Sequence, residues 1–122
     1  MSLRAATVSV LVLSCVVISW SCTEEDPTPR YLADAEALQR GRGVFVGTCS
    51  GYCHADGAEG VGDAPDLFDC EWRHGSSNQE IFNTISKGVP NSRMTGFGGK
   101  LPDGNDDIWK IIAFLKSRAP GC

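Results

Sequence analysis

The sequence predicts a small, all-α domain of three to four helices, and three observations carry that expectation. Ile108, Ile111, Ile112 and Leu115 form an apolar stripe at helical spacing, with Trp109 and Phe114 beside it. Ser77-Asn78-Gln79-Glu80 places a capping-box pattern just before Ile81, Phe82 and Ile85. No stretch alternates apolar and polar residues as a half-buried strand would.

The elements follow in chain order. Arg4 and then an uncharged Val-, Leu- and Ile-rich stretch to Trp20 read as a secretory signal over residues 1–21, too short and poorly flanked for a transmembrane helix. Cys22 at its end is the candidate lipid-bearing residue of a bacterial lipoprotein. Cys15, after Val12-Leu13-Ser14, is the alternative, and ordinary cleavage or a retained anchor would leave neither modified. Residues 22–33, with prolines and acids, read as a polar tether. The domain proper is expected over 34–122.

Asp34 opens the first helix, which runs through Gly41 and Gly43 towards Phe45. Two glycines weaken an isolated helix, and a glycine inside one often lets another backbone come close. Ala55 to Ala64 is rich in Gly and Asp and is expected as a loop. Lys87, Gly88 and Pro90 end the second helix. Asn91 to Asp103 is turn-rich. Asn105 or Asp106 is expected to cap the last helix, with Lys116 and Arg118 near its negative end and Pro120-Gly121 stopping it.

Charge narrows the function. The formal net charge is −4, and removing Arg4 with the signal leaves ten basic against fifteen acidic residues. An acidic domain with no basic run is a poor nucleic-acid binder, and it favours a basic or apolar surface on any partner.

The chemistry is concentrated in Thr48-Cys49-Ser50-Gly51-Tyr52-Cys53-His54. Two thiols followed at once by histidine is the pattern of covalent haem attachment, here with one extra residue between the cysteines. Each thiol can add to one haem vinyl group, and His54 is then held where its imidazole binds the iron. The longer spacing needs a locally wider turn, which Gly51 could permit. Met94, the only methionine after the signal, lies in the glycine-rich loop Arg93-Met94-Thr95-Gly96-Phe97-Gly98-Gly99. A thioether is a soft sixth ligand that favours ferrous iron; the bland reading of Met94 is core filler. His74 is the competing ligand, or a surface or propionate-contacting histidine.

The six cysteines then sort themselves. With Cys15 and Cys22 at the leader and Cys49 and Cys53 on the haem, Cys70 and Cys122 remain as an even pair in an oxidising compartment, either bridged or left as free thiols. A bridge closing a loop of this size contributes about 4 kcal/mol on chain entropy alone.

From Asp34 to Ala119 the chain resembles a class I c-type cytochrome. Gly41, Phe45 and Cys49 keep that family's four-residue spacings, Phe114-Leu115 stands where it places the partner aromatic, and Ala64-Pro65-Asp66-Leu67 follows the histidine at the familiar distance. The resemblance implies the cytochrome c fold, helices and loops wrapped around one covalent haem c. It also implies that the Pro65 carbonyl accepts the His54 ring N–H and that Leu67 packs on the haem. Pro65 to Trp72 and Gly88 to Met94 further resemble a four-cysteine subgroup found with quinoprotein methanol or alcohol dehydrogenases.

The function implied is an exported monohaem one-electron carrier, not an enzyme, located in the periplasm or otherwise outside the cytoplasmic membrane. Its donor would be a quinoprotein (PQQ-dependent) dehydrogenase and its acceptor an oxidase or another cytochrome. Any membrane contact would be through the lipid anchor. Three alternatives compete. A haem enzyme or gas sensor needs an open sixth position, against which Met94 argues. A zinc site from Cys49, Cys53, Cys70 and a histidine leaves the adjacent His54 unexplained. A redox dithiol at Cys49 and Cys53 lacks its strand-helix context.

Overall fold

The computed structural model describes residues 25–55 and 60–121, so the leader with Cys15 and Cys22, and the C-terminal Cys122, lie outside the described residues. Four α-helices are present among them: α1 (Thr28–Leu32), α2 (Ala35–Phe45), α3 (Asn78–Lys87) and α4 (Asn105–Arg118). A π-helical segment, Val46–His54, continues α2 directly. Pairing in the strand sense is limited, among the described residues, to one bridge between Gly88 and Thr95. No helix among them is long and apolar enough to cross a membrane.

Helix α4 is the centre of the domain. From Asp107 to Leu115 every side chain except Lys110 is buried, because α1, α2 and α3 all pack on it. The apolar stripe read from the sequence is therefore only part of a helix buried nearly all round. Gly41 fixes how closely α2 can approach. A Cβ there would stand 2.0 Å from the Lys110 carbonyl oxygen of α4, so only a residue without a side chain admits this crossing. Gly43, two residues on, faces open space. One turn further, the Phe45 and Phe114 rings meet at a centroid distance of 5.6 Å. Helix α3 is joined to α4 by Phe82 stacked on Trp109 at 4.2 Å.

The ends of the helices explain their lengths. Asp34 caps α2 by accepting from the backbone N–H groups of Glu36 and Ala37. Ser77 and Glu80 complete the expected capping box of α3, each side chain accepting from the other's backbone N–H. Helix α4 departs from expectation. Its N-cap is Gly104, which offers no side chain. Asn105 Oδ1 instead accepts from Gly99 N–H, Asp106 accepts from Tyr31, and Asp107 accepts from Asp103 N–H. Asp107 is fully buried and holds Arg40 of α2 by two hydrogen bonds of 2.8 and 2.9 Å.

The tether expected over 22–33 is corrected for its second half. Thr28–Leu32 forms a short helix in which Thr28 and Tyr31 are buried. Asp26 Oδ1 accepts from Thr28 N–H, and the Tyr31 hydroxyl donates to Asp106 on α4. Pro27 and Pro29, read as tether residues, stand at positions where a helix start tolerates proline.

Candidate functional site

The attachment motif occupies the π-helical segment, in which each turn is wider than in an α-helix. The extra residue between Cys49 and Cys53 is thereby absorbed over nine residues. Gly51 is not what permits it: its φ is not positive and no atom lies near where a Cβ would be. Cys49 packs on the core, Cys53 is half-buried, and both are free thiols. Tyr52, between them, points to solvent and is 89% exposed.

Beyond His54 the chain turns back sharply. Ala55 adopts φ 55°, and Gly60 N–H donates to the His54 carbonyl at 3.2 Å. Gly60 has φ +76°, and a Cβ there would meet the Ala64 carbonyl at 2.2 Å, so glycine is required for the loop to close on itself. The result brings the Pro65 carbonyl 3.1 Å from His54 Nδ1. A carbonyl oxygen can only accept, so Nδ1 carries the proton and Nε2 keeps its lone pair. The imidazole is buried and held in one orientation.

Cys49, Cys53, His54, Pro65, Leu67 and Met94 all line one cavity of about 350 Å³. Phe45 of α2, Ile81 and Ile85 of α3, and Ile111 and Leu115 of α4 supply its apolar walls. Met94 also packs on the core cluster, and its loop is stitched to the end of α3, with Val89 N–H donating to the Met94 carbonyl at 3.0 Å. His74 lines the same cavity, so the geometry brings both candidate sixth ligands to the site. Trp72, which the sequence reading gave no role, adds an indole N–H that is buried and has no partner. An apolar cavity with two free thiols, an oriented imidazole, a thioether and an unpaired donor fits an iron porphyrin bearing carboxylate side chains.

The rival chemistries fit less well. Burial, with a smaller effect from neighbouring Cys53, pushes the Cys49 thiol up to about 11, whereas a redox dithiol needs a lowered value. Cys70 is disulfide-bonded, so it is no zinc thiolate, and no group of three or more metal-binding side chains gathers among the described residues. The partner expected for Cys70, Cys122, lies outside those residues.

Residues 36–115 match the family model described as cytochrome c oxidase, cbb3-type, subunit III. The chain belongs to that family. It is 42% identical over 73 residues to the Cbb3-type cytochrome c oxidase subunit FixP of Sinorhizobium medicae, a match covering 53% of this chain and 25% of that protein. The chain thus spans about a quarter of that relative's length. Among solved structures it resembles cytochrome cL from the marine methylotroph Methylophaga aminisulfidivorans, with TM-score 0.64 and 30% identity, covering 75% of this chain and 64% of the other. It also resembles cytochrome cL from Hyphomicrobium denitrificans, with TM-score 0.63 and 29% identity, covering 77% and 52%. The fold is that of cytochrome c, and the cofactor is covalently bound haem c.

Proposed function

We propose that this cytochrome is an exported one-electron carrier that takes electrons from a quinoprotein-type dehydrogenase and passes them to a terminal oxidase or another cytochrome. The observation that carries the reading is the His54 imidazole, fixed through Nδ1 on the Pro65 carbonyl inside the cavity that Cys49, Cys53 and Met94 also line. When bound, haem c supplies an iron that alternates between ferric and ferrous states. Cys49 and Cys53 would hold the porphyrin by adding their thiols across its vinyl groups, and Leu67 would pack on it. His54 and Met94 would ligate its iron, and the apolar walls they share a cavity with would keep water from it. Trp72 would offer its unpaired indole N–H to a propionate. Cys70 pairs with Cys122, and Cys22 carries the lipid that keeps the carrier at a membrane outside the cytoplasm.

The donor side draws support from the likeness to cytochrome cL together with the Asp69-Cys70-Glu71-Trp72 run; the acceptor side draws support from the oxidase-subunit relative. The test is stopped-flow reduction of the purified holoprotein by a quinoprotein dehydrogenase from the same organism. Reduction much faster than that of a mismatched cytochrome, slowing as salt screens surface charge beyond about 8 Å, is expected. Equal rates would leave a general respiratory shuttle.

A further inference from the structure

One side chain ties together the two loops on which the axial ligands depend. Arg93 immediately precedes Met94 and reaches across to the loop that ends at Pro65. Its Nε donates to Asp63 Oδ1 at 2.9 Å and its Nη2 donates to the Val61 carbonyl at 3.1 Å. The same Nη2 forms an ion pair with the Asp63 carboxylate. Asp63 is two residues from the carbonyl that orients His54, and Asp63 and Arg93 both line the cavity.

We propose that Arg93 is a positioning residue for the sixth ligand, clasping the Met94 loop to the Pro65 loop so that the thioether stays on the iron. The inference rests on Met94 being that ligand. Backbone bonds to the end of α3 already hold the Met94 loop on one side, through Val89 N–H and the Gly88–Thr95 bridge. Arg93 supplies the hold on the other. An exposed ion pair alone contributes little, and these side chains are 54% and 67% exposed. What distinguishes this one is direction: a planar guanidinium bonded to a carboxylate and a carbonyl at once fixes the loop's angle as well as its distance. The thioether is an uncharged ligand, so any opening of the loop makes the ferric iron available to an outside ligand in proportion to the open population.

The test is imidazole binding to the ferric holoprotein, followed by absorbance, in Asp63→Asn, Arg93→Lys and Arg93→Ala. Asp63→Asn and Arg93→Ala are each expected to raise the apparent imidazole affinity about threefold, with Arg93→Lys intermediate. Their thermal melts are expected to stay near that of the parent. Adding Asp63→Asn to Arg93→Ala is expected to change nothing further, since the alanine already removes every bond between the two residues. Parental imidazole affinity in all three, alongside much tighter binding in Met94→Ala, overturns the clasp and leaves the ligand assignment intact. If Met94→Ala binds imidazole as the parent does, the ligand assignment falls and the clasp with it.

Discussion

Replacing Gly41 by alanine adds a single methyl group, and the geometry of the α2–α4 crossing says what that group meets. The new Cβ would lie 2.0 Å from the Lys110 carbonyl oxygen, 2.5 Å from its carbon and 3.0 Å from Ile111 nitrogen. All three are backbone atoms of a buried helix, so no side chain can rotate out of the way. The helices must separate, loosening the Phe45–Phe114 contact. Overpacking a core costs about 1–3 kcal/mol, and a backbone obstacle belongs at the upper end. Alanine's better helix propensity returns about 1 kcal/mol. The net loss is about 2 kcal/mol, which lowers the melting temperature of a domain this size by about 8–16 °C. Gly43→Ala is the internal control. It has the same propensity gain and nothing near its Cβ, so it is expected to stabilise by about 0.5–1 kcal/mol. Thermal unfolding of the two holoprotein variants, followed by far-ultraviolet circular dichroism, reads both effects. A Gly41→Ala protein that melts at or above the parent would refute the close-approach argument, as would equal losses at the two positions.

Four further outcomes are expected. Denaturing the protein in acid and organic solvent is expected to leave the haem mass on the chain, and single Cys49→Ser or Cys53→Ser variants to leave it held by one bond. Met94→Ala is expected to lose the weak red charge-transfer band of methionine-bound ferric haem and to lower the potential, because a thioether favours ferrous iron; a parental spectrum would point to His74. Peptide mapping without reduction is expected to recover Cys70 linked to Cys122, and Cys122→Ser to lower stability without altering the haem spectrum. Stability is expected to fall in acid. The Arg40 guanidinium holds the Asp107 carboxyl below its ordinary 3.8, and Arg93 does the same for Asp63. A depressed folded-state value contributes stability above the unfolded value that is lost as pH falls through the folded one. Melts between pH 6 and 2 are therefore expected to drop below about pH 4, and less steeply in Asp107→Asn.

Local signals made the helices legible. Asp34, and Ser77 with Glu80, announced their caps through residue type and spacing, while the two glycines of α2 looked alike in sequence and only the packing shows that Gly41, not Gly43, makes the close approach. The thiol-thiol-histidine run drew attention to the site, and the likeness it opened led to the Pro65 carbonyl. Other features depend on residues far apart in sequence. Asp107 stands in the first turn of α4 with no local sign that it is buried, and its pairing with Arg40, 67 positions away, is visible only in the fold. The Arg93–Asp63 pair spans 30 positions. Thr28 and Tyr31 sat in a proline- and acid-rich stretch whose composition mimics a tether, and the bond from the Tyr31 hydroxyl to Asp106 on α4, 75 positions away, is visible only in the fold. Trp72 became informative once its indole N–H was found buried without an acceptor.

The wide turns of Val46–His54 also bear on how such a chain tolerates a change of length. One residue inserted into a rigid α-helix rotates everything after it by about 100° and advances it by about 1.5 Å. Here that error has no fixed point of entry, because it is shared along a segment with slack in its winding. Gly41 and Phe45 upstream keep their phase against α4, while His54 downstream keeps its phase against Pro65. The attachment motif thus lengthens by one residue while Phe45, which serves both the crossing and the cavity wall, keeps its place.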